Sequence, residues 1–391
     1  MDELKKTYLS AIIYGLIAGA GSVSVPLFLD SIGYSISNIG IILGIATLIS
    51  GAIGIGIGAH SDVVGRKRLL ASTSVLYSLS IFALVPLKSV FTYVFSQAGA
   101  KFSSATIWNL FITRITDLTK KHERGKHLGY YTASFAIAFA SAHFLAGTIF
   151  DSLGPDTVFL LISFACIVLA ASTLTFREAK SEKKKHELSL DILKTRNGIA
   201  NAIVCFMNGG QRSIIYGYAI YLFLAHQYSF SAAEIGFYCS IFLGVWGISS
   251  VFLGKVADRW GSMNTLVAGA LINGSIWIAA AFLQSWEVFF TLMVAENLLY
   301  PLYGVSTVKI SSILAHKENK GRDVSIFGYF DLLGAIAAIF VAGILAEISF
   351  SYVFLLRAAM MLFSAAVAFF FIRLGEDGGR EVPYKTEGMV A

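Results

Sequence analysis

The chain has 391 residues, of which 56% are hydrophobic and 14% are charged. Soluble domains carry about 25% charged residues, so this composition excludes an ordinary water-soluble globule. The net charge of +6 could indicate a nucleic-acid surface, but its distribution along the chain, described below, favours membrane orientation instead.

The apolar residues fall in twelve runs of roughly 20 residues, the length at which a helix crosses about 30 Å of hydrocarbon. A helix satisfies its own backbone hydrogen bonds, so it can face lipid where a loop cannot. We therefore predict an all-α, multi-pass membrane protein with twelve transmembrane helices. The predicted spans are 7–29, 37–60, 69–87, 90–116, 128–150, 155–176, 198–224, 232–254, 264–284, 287–314, 324–347 and 350–373. The first run lacks an A-x-A-like cleavage site, so we expect a retained helix and not a signal peptide.

The lysines and arginines between the spans lie almost entirely on one side. All but six of the 30 fall in the N-terminal segment, in the loops after spans 2, 4, 6, 8 and 10, or in the C-terminal tail. Only Lys88 lies in a loop on the opposite side. Because cytoplasmic loops carry the excess of basic residues, both termini are predicted to be cytoplasmic. The basic residues would also contact anionic membrane lipids.

The two halves of the chain repeat one another at a constant offset of 196 residues. The matching pairs are Asn38-Ile39-Gly40 with Glu234-Ile235-Gly236, Gly58 with Gly254, Asp62 with Asp258, Gly65 with Gly261, Gly125-Lys126 with Gly321-Arg322, and Ala146-Gly147 with Ala342-Gly343. Six spans return each half to its starting side, so the halves should be related by an axis along the membrane normal. We predict two pseudo-symmetric six-helix bundles at 1–176 and 198–375, a cytoplasmic linker at 177–197 and a cytoplasmic tail at 376–391.

The loop after span 2 reads GAHSDVVGRKR from Gly58 to Arg68, and the loop after span 8 reads GKVADRWG from Gly254 to Gly261. The first resembles the signature of the major facilitator superfamily, roughly G-x-x-x-D-x-x-G-R-[RK]-[RK], and the second is a weaker copy. Span count, duplication, linker and both motif positions extend the resemblance over essentially the whole chain. It implies the two-bundle major facilitator fold and transport by alternating access.

In that family the motif latches the two halves together on the cytoplasmic side. The resemblance implies this role for Asp62 and Arg66, and Asp117 is the candidate carboxylate for Arg66 because a charge-assisted hydrogen bond can join them. The alternative is that the loop only orients the protein, which we favour for Lys67 and Arg68. The predicted cytoplasmic gate consists of Gly58, Asp62, Gly65, Arg66, Asp117, Gly254, Asp258 and Gly261. The second copy lacks the basic run, so an asymmetric latch is expected.

Four ionisable residues lie near the middle of spans, where a charge costs at least about 2.5–3.5 kcal/mol and should face a cavity or a partner. They are Lys101, Arg212, Glu296 and Asp331. The resemblance places spans 1, 4, 7 and 10 around a central cavity, and helical spacing puts polar and aromatic residues on the same faces as three of these charges. The predicted substrate-binding residues are Gln97, Lys101, Trp108, Asn208, Arg212, Glu296, Tyr300 and Tyr303.

The partners of these charges are open at this point. Lys101 and Glu296 occupy nearly equivalent positions in the two halves, so we expect them to face each other across the cavity. Arg212 either binds an anionic group of the substrate or pairs with Asp331, which could instead pair with Arg357 or Lys309. Two cations and two anions leave the charge of the substrate undetermined.

Several other ionisable residues have simpler expected roles. Lys309 is expected to extend toward the nearby cytoplasmic face. His143 in span 5 could titrate near neutral pH, although a structural role is the expectation. Asp30 and Glu347 at the outer helix ends are expected to be simply solvated.

We predict a secondary transporter for a small solute, with protons as coupling ions and Glu296 or Asp331 as the proton-carrying groups. No G-x-x-x-x-G-K-[ST] loop is present to bind ATP. The rival functions are proton-driven multidrug efflux, substrate sensing and a polytopic membrane enzyme. Efflux is disfavoured because span 5 lacks the Gly-Pro signature of drug antiporters. We expect no enzymatic activity, cofactor, metal or nucleic acid, because neither the histidines nor Cys166, Cys205 and Cys239 show catalytic or metal-ligand spacing. A monomer in the plasma or inner membrane is expected.

Overall fold

The computed structural model describes residues 3–54, 65–120, 123–177, 190–283, 285–316 and 320–374. Within these ranges the chain is helical, with no strand. The membrane helices are α1 (Glu3–Ser31), α2 (Ile36–Gly54), α3 (Arg66–Phe82), α4 (Val90–Leu118), α5 (Arg124–Leu153), α6 (Pro155–Leu174), α7 (Arg196–Ile214, continued by Ile215–Ala219 and Ile220–Tyr228), α8 (Ala232–Trp260), α9 (Ser262–Phe282), α10 (Trp286–Leu314), α11 (Lys320–Ile348) and α12 (Phe350–Phe371). Nine of the described helices are long and apolar enough to cross a membrane. The predicted all-helical fold is confirmed.

Glycines of the repeated loop motif sit at helix starts. Gly65 precedes α3 with φ of 89°, and its counterpart Gly261 precedes α9 with φ of 85°. A side chain is strained in this left-handed region, which explains glycine at both places. Gly58 and Asp62 of the motif lie outside the described residues, as do most of the linker and the tail.

The same packing pattern occurs in each half of the molecule. In the first half α1 packs on α5 and α6, α2 on α4, and α3 on α4 and α6. In the second half α7 packs on α11 and α12, α8 on α10, and α9 on α10 and α12. The main contacts between the halves are α2 with α11 and α5 with α8, which the repeat makes equivalent. We call the side where α1 ends and α2 begins the outer side, and the opposite side the inner side.

The middle of α7 departs from a regular α-helix. Ile215–Ala219 forms a π-helical turn, in which the backbone bonds span five residues, between the flanking α-helical parts. Such turns are rare and frequently lie at functional sites. The predicted span at 198–224 coincides with α7, but the hydrophobicity of the sequence gives no indication of the π-helical turn.

Candidate functional site

A central cavity of about 610 Å³ lies between the two halves. Its walls come mainly from α1, α4 and α7, with two residues each from α3 and α5 and single residues from α2 and α8. The side chains that define its character are aromatic (Tyr14, Tyr77, Trp108, Phe135, Phe139, Tyr216 and Trp246) or polar (Ser22, Gln97, Lys101, Ser104, Asn109 and Arg212). The volume falls within the range of small-molecule sites. Within the described residues, the lining contains no aspartate or glutamate.

Three predicted binding residues on α4 lie on this wall. Gln97, Lys101 and Trp108 all line the cavity, as their helical spacing predicts. The Trp108 ring packs against Phe135 with centroids 4.9 Å apart, and Tyr14 donates a hydrogen bond to the Ser104 carbonyl at 2.8 Å. These contacts fix the polar face of α4 against α1 and α5.

Arg212 reaches the cavity while paired with a carboxylate. Its Nη2 lies 2.7 Å from Oδ2 of Asp331, and the Asn208 amide donates to Oδ1 of Asp331 at 2.8 Å. The Arg212 side chain is 54% exposed, whereas that of Asp331 is 23% exposed. The sequence left two roles open for Arg212, substrate binding or pairing with Asp331, and the structure contains the pair with Asp331. The guanidinium still faces the cavity, so a role in substrate binding stays a prediction.

Glu296 does not face Lys101, and that expectation is wrong. Its Oε1 lies 2.5 Å from Nη2 of Arg357, and both side chains are buried inside the second half. The Arg357 guanidinium stacks over Trp277 at 4.5 Å, and Arg357 also donates to the Gln211 carbonyl at 3.2 Å. Lys101 and Glu296 lie at equivalent depths, but depth does not determine which way a side chain points. Glu296 points from α10 toward α12, where Arg357 lies.

Two further predicted residues of α10 and one of α7 also lie outside the cavity lining. Tyr303 is fully buried, and its hydroxyl lies 3.0 Å from that of Ser364. Tyr300 accepts a hydrogen bond from the Gln211 amide at 2.9 Å. Asn208 is engaged with Asp331, as described above. The cavity lining therefore contains four of the eight predicted binding residues.

His143 joins the two halves at the outer end of the cavity. Its Nδ1 lies 2.8 Å from the Phe139 carbonyl, so Nδ1 carries the proton. Nε2 is then an acceptor, 3.0 Å from Ser22 in the first half and 3.1 Å from Tyr221 in the second. The ring is completely buried and neutral in this arrangement, which agrees with the expected structural role.

Two carboxylates join the halves on the outer side, and for one of them, Glu347, the expectation of simple solvation is wrong. Glu347 of α11 accepts from the Ser37 backbone N–H at the start of α2, at 3.0 Å. Asp151 of α5 accepts from the Ala232 and Ala233 N–H groups at the start of α8, at 3.1 and 2.7 Å. Each carboxylate satisfies the free N–H groups and positive dipole of a helix in the other half. Asp151 and Glu347 are 196 residues apart, as are their partners Ser37 and Ala233. The internal repeat could therefore have indicated that the two carboxylates have equivalent roles.

Glycines of the repeat lie close to these carboxylates, at the contacts between the two halves. The Cβ of a side chain at Gly40 would lie 2.9 Å from the Cα of Gly343, and one at Gly147 would overlap the Ala232 carbonyl. At Gly236 it would overlap the His143 carbonyl. The α2–α11 and α5–α8 contacts are thus close backbone approaches that admit no Cβ. These close approaches occur at equivalent places in both halves.

A family model described as Major Facilitator Superfamily matches residues 7–198 and 202–388. The chain belongs to the major facilitator superfamily. An uncharacterised MFS-type transporter of Methanocaldococcus jannaschii is 21% identical over 350 residues, which cover 84% of this chain and 88% of that protein. Multidrug resistance protein 2 of Bacillus subtilis is 26% identical over 328 residues, or 78% and 79% of the two chains. A variant of the nucleoside transporter NupG has a similar structure, with a TM-score of 0.80 at 11% identity, over 95% of this chain and 100% of that one.

The described part of the major facilitator motif contains the ion pair that the sequence predicts. Arg66 at the start of α3 pairs with Asp117 near the end of α4. In the second copy Asp258 pairs with Lys309 of α10. Lys309 therefore extends toward the inner side, as expected, and has a carboxylate partner there. Each pair joins the inner ends of helices within one half. The role of these residues as a gate between the halves stays a prediction.

The protein is therefore a multi-pass secondary transporter with the alternating-access fold. In the part of the chain that the structure describes, no cluster of His, Cys, Asp and Glu is arranged to hold a metal ion.

Proposed function

We propose that this major facilitator carries its substrate through the central cavity and couples that movement to protons. The observation that supports this proposal is the cavity itself, because charged, polar and aromatic side chains from both halves meet there. A site shared by two bundles is the geometry that alternating access uses, since rocking exposes it to each side in turn.

Asp331 is the better of the two candidate proton carriers. Glu296 is 1% exposed and enclosed by Arg357 and Trp277, so proton exchange with a cavity would require the bundle to open. Asp331 is 23% exposed and is bonded to a guanidinium that lines the cavity. A proton on Asp331 would remove its charge and release Arg212 toward the substrate. Loss of that proton would restore the pair.

Reconstituted vesicles test this coupling. We expect Asp331→Asn to abolish accumulation driven by a proton gradient while it retains exchange of labelled for unlabelled substrate, because exchange needs no net proton movement. Glu287→Gln is the matched control, since Glu287 is an exposed carboxylate at the outer start of α10. Proton-driven accumulation that survives in Asp331→Asn would show that the coupling group lies elsewhere.

Multidrug efflux is the second candidate function. It is favoured by the similarity to Multidrug resistance protein 2 and by the seven aromatic side chains of the cavity wall. Aromatic side chains offer large apolar areas on which planar molecules can stack. Expression in a drug-sensitive bacterial strain should then lower the accumulation of a dye such as ethidium by several-fold. Unchanged accumulation in cells with verified membrane expression would argue against efflux of this dye class.

We also propose that the inner side is cytoplasmic, with both termini there, in the plasma or inner membrane. The basic residues concentrated on that side support this orientation. A monomer is the proposed state, because the cavity is formed by one chain. We propose no enzymatic role.

A further inference from the structure

Lys101 is set apart from the other membrane-embedded cations by its surroundings. Arg212 pairs with Asp331 at 2.7 Å, and Arg357 pairs with Glu296 at 2.5 Å. Lys309 and Arg114 pair with carboxylates nearer the inner ends of their helices. Lys101 forms no ion pair and no hydrogen bond within the described residues, although its side chain is partly buried in the cavity wall.

A second donor without a partner lies one helical turn before Lys101. The Gln97 side chain is 7% exposed, lines the cavity, and has an amide nitrogen buried without a hydrogen-bond partner. Residues four apart share one face of a helix, so the amide and the ammonium group point in the same direction. Native proteins rarely leave a buried donor such as the Gln97 amide unsatisfied, and an unpaired ammonium group on the same face indicates a ligand that supplies acceptors to both.

The balance of charge around the cavity gives the sign of that ligand. Asp331 neutralises Arg212, Glu296 neutralises Arg357, and no carboxylate lines the cavity in the described part of the chain. While Asp331 is ionised, one positive charge therefore remains among these groups, on Lys101. A charge in this environment is costly, and an anion of single charge would neutralise it without leaving an excess.

We propose that the transported substrate is a small organic monoanion with an aromatic or apolar body, whose anionic group binds Lys101 and Gln97. This inference rests on the proposed function, since it assigns a substrate class to the same cavity. The aromatic side chains opposite α4, among them Phe139, Tyr216 and Trp246, enclose the body of the molecule. Arg212 adds a donor from the second half, so the substrate bridges the two bundles.

The test compares carboxylic acids with their neutral amides by calorimetric titration of the purified protein in neutral detergent. The probe pairs are benzoate with benzamide, 2-naphthoate with 2-naphthamide, and phenylacetate with phenylacetamide. We expect at least one acid to bind about tenfold or more tightly than its amide, because a hydrogen bond to a charged group outweighs one to a neutral group. If no acid binds more tightly than its amide, the proposal is wrong, and this comparison needs no variant.

Variants then assign the preference to Lys101. Lys101→Met should abolish the preference for the acid, whereas Lys101→Arg should retain most of it. Lys88→Met is the matched control, because Lys88 pairs with Asp156 at the outer surface and does not line the cavity. A preference that persists in a folded Lys101→Met protein would overturn the assignment to Lys101.

Failure of this inference and failure of the proposed function give different results. Uptake of labelled solute into proteoliposomes, without any preference for acids in binding, would remove the anion site and leave transport in place. Acids that bind with the expected preference but never cross the membrane would leave the anion site and contradict transport through it.

Discussion

The ion pair of Arg357 and Glu296 is the most enclosed pair of charges in the described structure. Both side chains are at most 1% exposed, and Trp277 covers the guanidinium. Removing one partner from a buried pair leaves an uncompensated charge and costs about 3–5 kcal/mol. The pair lies within one half and outside the cavity lining, so its contribution is to stability.

We therefore expect Glu296→Gln and Arg357→Met each to lower the thermal unfolding temperature strongly. The double replacement Glu296→Gln with Arg357→Met should recover a large part of the loss, because no unpaired charge remains. Fluorescence-detected thermal unfolding in detergent measures this directly. Equal stability of Glu296→Gln and the native chain would show that the pair is not a structural requirement.

At the scale of helices, the outer contact between the halves depends on two equivalent caps. Glu347 caps α2 and Asp151 caps α8, each across the interface. Loss of a helix cap by replacement with alanine costs about 1 kcal/mol, so the double variant Asp151→Ala with Glu347→Ala should favour outer opening on the order of 30-fold. The measurement is labelling of Ala18→Cys, a cavity position, by an impermeant maleimide added on the outer side, in a chain without its native cysteines.

Asp156→Ala is the matched control for the caps. Asp156 is also an outer carboxylate, but its partner Lys88 lies in the same half. Its loss should leave labelling of Ala18→Cys unchanged. If the double cap variant labels no faster than this control, the caps do not hold the outer side closed.

The glycine contacts give a second test of the same interface. A methyl group at Gly147 would overlap the Ala232 carbonyl, and neither backbone can move without separating α5 from α8. Gly147→Ala should therefore raise outer labelling of Ala18→Cys and reduce transport. Gly244→Ala is the control, because a Cβ at Gly244 on α8 meets no heavy atom within 4 Å. Similar labelling in both variants would show that the close approach is not needed for closure.

At the scale of the whole molecule, the Arg66–Asp117 pair is predicted to influence the balance between inner and outer opening, because it holds the inner ends of α3 and α4 together beside the major facilitator motif. We expect Arg66→Ala to weaken the inner latch by about 1 kcal/mol, which raises inner labelling of Ala18→Cys on the order of fivefold. Lys67→Ala is the neighbouring control, since Lys67 is expected only to set orientation. Equal labelling in the two variants would leave the motif with no role in gating.

The fold could be predicted from sequence because it depends on span length and on the repeat, both of which are spread over hundreds of residues. The pairing of Arg66 with Asp117 was also accessible, since both lie at helix ends on one side. The partner of Glu296 was not, because Lys101 and Arg357 are both at plausible depth and only helix rotation selects between them. Asp151 and Glu347 carried the 196-residue offset, but an outer carboxylate has an ordinary solvated interpretation.

One contact of the outer side differs in kind from the caps and the glycine pairs. His226 Nε2 lies 2.8 Å from Asp30 Oδ1, and these two residues are 196 positions apart, so they occupy equivalent positions. The repeat indicates an ancestor in which two identical six-helix chains formed a symmetric dimer. In such a dimer, a contact between two different positions occurs twice, once on each side of the axis, whereas a residue at the axis contacts the same residue of the other chain. The caps and glycine pairs could exist in such an ancestor. Identical copies would place the same residue on both sides of this contact, so the pairing of Asp30 with His226 requires two copies whose sequences differ.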